Sequence, residues 1–281
     1  MPMSPAASIP LQILLPALAG LGLAVGSFLN VVIHRLPLML EQQWLTALHE
    51  AEPTEAALPA RRLTLFWPPS QCPHCAQPVR PWQNIPLLSY LLLRGRCGHC
   101  RAPISARYPM VELACGLGFG LLAALVPQSP GTLALASVLT AALLALAVID
   151  LEQRLLPDVI VLPLLWLGLL ANLHGRFVSL PEAVLGAVAG YGVLWMVSRL
   201  YRLLRDRDGM GEGDLKLLAA LGAWFGWQML APMLLLASLG ALVTLAVLWP
   251  TGRAARFEHV PFGTFLGAAG WICLLMQLIG R

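Results

Sequence analysis

Long apolar runs alternate with short polar breaks along this chain, and the runs recur at about the 20 residues a helix needs to cross a bilayer. The first covers about Leu11 to Ile33. It lacks a basic leading segment and a clear small-residue cleavage site, so it is read as a retained membrane helix. It is expected to stop in GSFLNVVIHRLP, where His34, Arg35 and Pro37 meet the interface. One long polar segment follows, residues 34–107. Beyond Tyr108 and Pro109 the chain is apolar almost throughout, with helices expected near 110–127, 131–150, 158–173, 182–204, 214–227, 229–249 and 262–280. With the first, that predicts an all-α polytopic membrane protein of about eight transmembrane helices. The sixth is short, and Gly226-Trp227 marks a break or a re-entrant turn.

Composition agrees with the pattern. Hydrophobic residues make up 58% of the 281 and charged residues 11%, against roughly 25% charged in soluble domains. A soluble globule is excluded, and no nucleic-acid motif or low-complexity tract is present. The net charge of +4 matters less than its placement. If residues 34–107 face the cytoplasm, only Arg176 and Arg281 of the 18 basic residues fall on the opposite side. That asymmetry orients the chain with both termini outside. The GxxxG spacings Gly116/Gly120, Gly186/Gly190 and Gly222/Gly226 are read as close helix packing.

The polar segment holds Cys72-Pro-His-Cys75 and Cys97-Gly-His-Cys100. Two CxxC pairs across such a gap suit a closed, tetrahedral, structural zinc site. A reducing cytoplasm disfavours disulfides there, and no βαβ pattern supports a dithiol redox role for CGHC. His74 and His99 then serve as turn residues, while Cys115 and Cys273 pack within apolar helices. The apolar patch Ile85 to Leu93 is too short to span a membrane and forms a knuckle core or a surface resting on lipid.

The carboxylates carry the second chemistry. In GMGEGDLKLLAALGAW, Gly209, Gly211 and Gly213 deliver Asp214 to the start of an apolar run. Glycines so placed permit close backbone approach and unusual φ/ψ values, and Gly211, Gly213 and Lys216 are taken as the loop supporting Asp214. Asp214 alone reads equally as a helix cap or as a functional acid. Asp150, in ALAVIDLEQRLLPD, tips the balance, because the predicted topology brings both acids to the same membrane face. Two aspartates sharing a proton can act as general base and general acid on a peptide bond. Asp158 is assigned to helix capping, Asp206 and Asp208 to a solvated loop, and Glu152 and Glu212 to water. Helix polarity, considered for each acid's own helix, leaves the shared proton more readily on Asp150.

These segments, with YPMVE and NIPLLSYLLLRGRCGHC, resemble the type IV prepilin leader peptidases, and the GxGD element is shared with presenilin-like aspartyl proteases. The resemblance implies Asp150 and Asp214 as the catalytic pair. It also implies cleavage of a basic leader from prepilins and pseudopilins at the cytoplasmic face of the bacterial inner membrane. A second activity follows from it, methylation of the new N-terminus with S-adenosylmethionine as donor. The cysteine segment is associated with that step, and Gly95 occupies a position linked to it. Three parts are expected: a first helix in 1–33, a cytoplasmic zinc-binding, methylation-associated domain in 34–107, and a seven-helix protease domain in 108–281. Expected partners are the pilin substrates and membrane lipid, with a homo-oligomer possible and no nucleic acid. Glu41, Glu50, Glu52, Glu55 and Glu212 are expected to attract the basic leader. The alternative is a transporter, or a secretion-complex scaffold, with a structural zinc knuckle.

Overall fold

A computed structural model describes residues 10–51, 63–126, 129–206, 210–251 and 260–280. Glu52, Glu55 and Gly209 lie outside the described residues, as does the side chain of Glu50. Among the described residues the chain is helical with no strand, and six helices are long and apolar enough to cross a membrane. It divides into two compact units, residues 1–128 and 129–281.

The first unit contains α1 (Leu11–Ala51), α2 (Leu88–Leu92) and α3 (Arg107–Leu125). The expected stop of the first helix at His34 to Pro37 does not occur: α1 runs for 41 residues with Pro16 and Pro37 inside it. At 1.5 Å per residue that is about 60 Å, twice a bilayer core. Proline at 37 removes one intrahelical bond. Packing on both flanks holds the helix through it. Ile33 and Leu36 are buried, and the Arg35 guanidinium donates to the carbonyls of Thr64 at 2.9 Å and Leu65 at 3.3 Å. Between α1 and α3 the backbones touch. A side chain at Gly22 or Gly26 would run into Cys115, Gly116 and Glu112, and one at Gly116 into Leu23. Cys115 is fully buried in this seam.

The second unit contains α4 (Pro130–Gln153), α5 (Asp158–Ala171), α6 (Leu180–Arg205), α7 (Glu212–Phe225), α8 (Leu230–Leu248) and α9 (Phe262–Ile279). The apolar helices read from the pattern are all present, but α5 and α7 have 14 residues each, short of a full span. Helix α7 tolerates this because it lies inside protein. Leu215 and every residue from Leu217 to Phe225 are buried, and α5, α6 and α9 pack around it. Its backbone polar groups therefore never face lipid.

Helix α7 begins at Glu212, two residues before the expected start, and ends where Gly226 turns with φ of +77°. A 3₁₀ turn, Trp227–Met229, then leads into α8, so Gly226 is a break. Two devices fix its depth. The fully buried Asn172 donates to the carbonyls of Ala223 (2.9 Å) and Trp224 (3.2 Å) and accepts from the backbone N–H groups of Phe177 (2.9 Å) and Val178 (3.1 Å). The Trp224 indole N–H donates to Leu164 O at 2.9 Å, its ring filling the space that a side chain at Gly168 would need. Laterally, Gly186 of α6 and Gly222 of α7 meet backbone to backbone, and Gly190 meets Leu218 in the same way. The GxxxG spacings thus serve packing within the chain.

Candidate active site and metal centre

Asp150 and Asp214 come together at helix ends of the second unit. Asp150 lies in the last turn of α4, only 5% exposed. Helix α4 stops just beyond it because Arg154 turns left-handed, φ +55°, and its N–H closes on the Asp150 carbonyl at 2.8 Å. Asp214 lies in the first turn of α7, next to Gly213, which packs on Leu156; Leu156 in turn packs on Gly263, which lies against the Asp150 carboxyl. The N-cap position of α7 is occupied by Gly211, so Asp214 is not the capping residue.

The glycine loop works by approach more than by unusual dihedrals. Gly211 is extended, with φ of −70°, and Gly213 is already helical. A side chain at Gly213 would strike Leu156, and one at Gly263 would strike both Leu156 and the Asp150 carboxyl. Leu156, from the LLPD stretch, is thereby wedged between the starts of α7 and α9. The N-terminal end of α9 also abuts Asp150: the Thr264 N–H donates to Asp150 Oδ2 at 2.7 Å. The proton asymmetry expected from α4 alone left out this second helix, whose dipole has the opposite sense at the same carboxyl.

The other acids sort by contact. Asp158 opens α5, but the N-cap position there is Pro157, and the aspartate instead pairs with Lys216 (Nζ to Oδ2 2.8 Å, to Oδ1 3.0 Å). Glu152, Asp206 and Glu212 are exposed, as is Glu41 in the first unit. Asp208 lies outside the described residues. The sequence reading did not single out Leu156, Gly263 or Thr264. The only local signal was Pro261-Phe-Gly-Thr, proline and small residues at a helix start.

In the first unit the four cysteines converge, with all four sulfurs within 4.8 Å of one another and Cys72 Sγ 3.8 Å from Cys100 Sγ. Tetrahedral coordination at about 2.3 Å per thiolate requires sulfurs about 3.8 Å apart, so the donor set and spacing suit zinc. The two knuckles are built alike. In QCPHCAQP and RCGHCRAP, an antiparallel bridge joins the residue before the first cysteine to the proline closing the turn, Gln71 to Pro78 and Arg96 to Pro103. The residue after the second cysteine is left-handed in both, Ala76 at φ +55° and Arg101 at φ +63°. This short internal repeat was legible and was missed. Backbone N–H groups of Cys100 and His99 draw the Cys97 thiol down to about 6. The Ala102 N–H also lowers Cys100, but desolvation and the thiols of Cys75, Cys97 and Cys72 outweigh it and push Cys100 up to about 11. Four sulfurs this close cannot all ionise without a cation between them.

Gly95 follows α2 with φ of +66°, and a side chain there would meet the Tyr90 hydroxyl at 2.9 Å. The space beside Gly95 thus belongs to Tyr90. Nearby, the buried Glu112 of α3 accepts the Leu87 N–H at 2.9 Å, fixing the start of α2.

An all-helical membrane protein with a paired-carboxylate site and a four-thiol centre is the class these features define. The model of the bacterial peptidase A24 N-terminal domain matches residues 21–126, and that of the type IV leader peptidase family matches residues 137–246. A prepilin leader peptidase/N-methyltransferase of Burkholderia pseudomallei strain 1026b is 51% identical over 274 residues, covering 96% of this chain and 87% of that protein. Proteins of the same name from Stutzerimonas stutzeri and Pseudomonas aeruginosa are 50% and 48% identical, each match covering 96% of this chain and 92% of the relative. The chain belongs to the type IV leader peptidase family. No solved structure matches it.

Proposed function

We propose that this multi-pass inner-membrane protein is a bifunctional enzyme that cleaves the basic leader from type IV prepilins and pseudopilins and then methylates the new N-terminus. The observation that carries the proteolytic half is the convergence of Asp150 and Asp214 from helices 64 positions apart in sequence, each set at a helix end. Acids at helix ends, away from mid-length, favour hydrolysis at the interface over transport through the bilayer.

Asp150 and Asp214 are the catalytic pair. Two such carboxyls share one proton, since like charges so close do not both persist. The ionised member takes a proton from water as the oxygen attacks the scissile carbonyl, and the protonated member donates to the carbonyl oxygen. Collapse of the tetrahedral species breaks the C–N bond, with the proton passing to the leaving amine. The pair titrates as a unit. Gly211 supports it as the N-cap position of α7, beside the Asp214 carboxyl, Gly213 by letting the loop close on Leu156, and Lys216 by tying α7 to α5.

Residues 34–107 are the zinc-binding, methylation-associated segment: it includes the second part of α1 and the cysteine knuckles, and the protease domain of 108–281 follows it. Cys72, Cys75, Cys97 and Cys100 would hold the zinc, which would clamp the two knuckles into one body. S-adenosylmethionine supplies the methyl group when bound. Gly95 acts through its turn, which seats Tyr90. The asymmetry of the basic loops supports a cytoplasmic side for this segment and the dyad, where anionic lipid would meet the arginines. Self-association is compatible with the exposed apolar helix faces.

Purified enzyme in lipid, given a prepilin and the methyl donor and read by mass spectrometry, tests the assignment. Asp150→Asn and Asp214→Asn should each abolish leader removal while a pre-cleaved pilin is still methylated. Persistent cleavage by either variant would reject the pair.

A further inference from the structure

Thr264 lies in the first turn of α9 and is bound to the end of α4 at three points. Its N–H donates to Asp150 Oδ2 at 2.7 Å, and its hydroxyl lies 3.1 Å from the same Oδ2 and 2.9 Å from Ala147 O. Ala147 O can only accept, and a hydroxyl carries one hydrogen and two lone pairs. The hydroxyl therefore has two arrangements without any heavy atom moving. With Asp150 ionised, the hydroxyl hydrogen turns to Oδ2. With a proton on Oδ2, the carboxyl donates to Thr264 Oγ1, whose own hydrogen goes to Ala147 O. The backbone N–H holds Oδ2 in both.

We propose that Thr264 is the positioning residue of the catalytic pair, its hydroxyl alternating between donor and acceptor so that Asp150 can gain and lose a proton in one fixed place. An acid that serves as base in one step and acid in the next gains most from such a support, because each change of charge would otherwise turn the carboxyl away from its partner. Gly263 makes the arrangement possible: a side chain there would lie 3.0 Å from Asp150 Oδ2 and 2.8 Å from Leu156. Helix α9 thus forms a third wall of the site, contributed by residues that carry no charge.

The proposal rests on the dyad reading above, and the experiment separates the two. Thr264→Val keeps the shape and the N–H but removes the hydroxyl; Thr264→Ser keeps the hydroxyl. Cleavage of a prepilin and methylation of a pre-cleaved pilin are measured in the same preparations, beside Asp150→Asn. For Thr264→Val, kcat for cleavage should fall roughly ten- to a hundredfold with KM unchanged, the loss a small misplacement of reacting groups brings. Thr264→Ser should recover to within about twofold of wild type, and methylation should stay at the wild-type rate in both. Wild-type kcat in Thr264→Val, or a Thr264→Ser as slow as Thr264→Val, would overturn the role of the hydroxyl. Parallel loss of methylation would overturn it too, exposing a merely structural residue. Normal cleavage by Asp150→Asn would instead remove the dyad and this proposal with it.

Discussion

Lys216 Nζ sits 2.8 Å from Asp158 Oδ2, joining the second turn of α7 to the first turn of α5 two residues from Asp214. The lysine side chain is 26% exposed and the aspartate 50%, so water screens the pair and its contribution is about 0.2–1 kcal/mol. Its value lies in geometry. Lys216→Met and Asp158→Asn should each leave melting temperature nearly unchanged and slow cleavage by a similar factor. The double variant should be no slower than either single one. A double-mutant cycle on cleavage rates measures this coupling, and independent, multiplying losses would contradict it.

Metal retention should depend on acidity in one direction. The Cys97 thiol is held down to about 6, against an ordinary 9.0, so its thiolate is present at neutral pH and is lost as pH falls through about 6. Ligand thiolates compete with protons, so a metal held by the four sulfurs should be retained at neutral pH and released on acidification, below the metal-free Cys97 value because the ion itself stabilises the thiolate. Elemental analysis after dialysis from about pH 8 down to about pH 3 reads the midpoint. Cys72→Ser should raise it and also lower the temperature at which the 71–104 region opens.

At Gly95 the backbone is left-handed and Tyr90 fills the space a side chain would take. Gly95→Ala combines a conformational penalty of about 1 kcal/mol with displacement of the phenol ring. Methylation of a pre-cleaved pilin should fall severalfold and leader cleavage should not, which mass spectrometry of both products resolves.

Glu112 gives a contrast between charge and hydrogen bonding. Its carboxylate accepts the Leu87 N–H at the start of α2, where Leu87 has φ of +57°. Glu112→Gln preserves an acceptor and should leave stability near wild type. Glu112→Leu strands the donor, at a cost of about 1–3 kcal/mol. Hydrogen exchange should then accelerate at Leu87 and through α2.

A crowded seam supplies the largest expected stability effect. Gly186 and Gly222 leave no room for a β-carbon. Gly186→Val should destabilise the second unit by 1–3 kcal/mol or more, since overpacking forces backbones apart. Thermal melts in a fixed detergent measure it. Gly192, with open space beside it, serves as the control.

Much of the architecture was legible because bilayer thickness writes itself into sequence as apolar run length. The helices, the polar segment, the four cysteines and the two aspartates all stand out by spacing and by the rarity of charge in apolar surroundings. The break at Gly226 could be suspected for the same reason. The short repeat around the cysteines was equally readable, since local turn geometry dictates local residues.

Other features depended on contacts between distant segments. Helix α1 continues through Pro37 because Arg35, Ile33 and Leu36 are held by their neighbours, which local rules for proline do not include. Asp158 pairs with a lysine 58 positions away instead of capping its own helix. Asn172 secures the end of a helix that begins 40 residues later. Thr264 meets Asp150 across 114 positions. Sequence alone determined which groups were too costly to place in a membrane without purpose. Only the tertiary structure decided which neutral groups surround them, because a threonine or an asparagine reveals its partner only when the chain has folded back on itself.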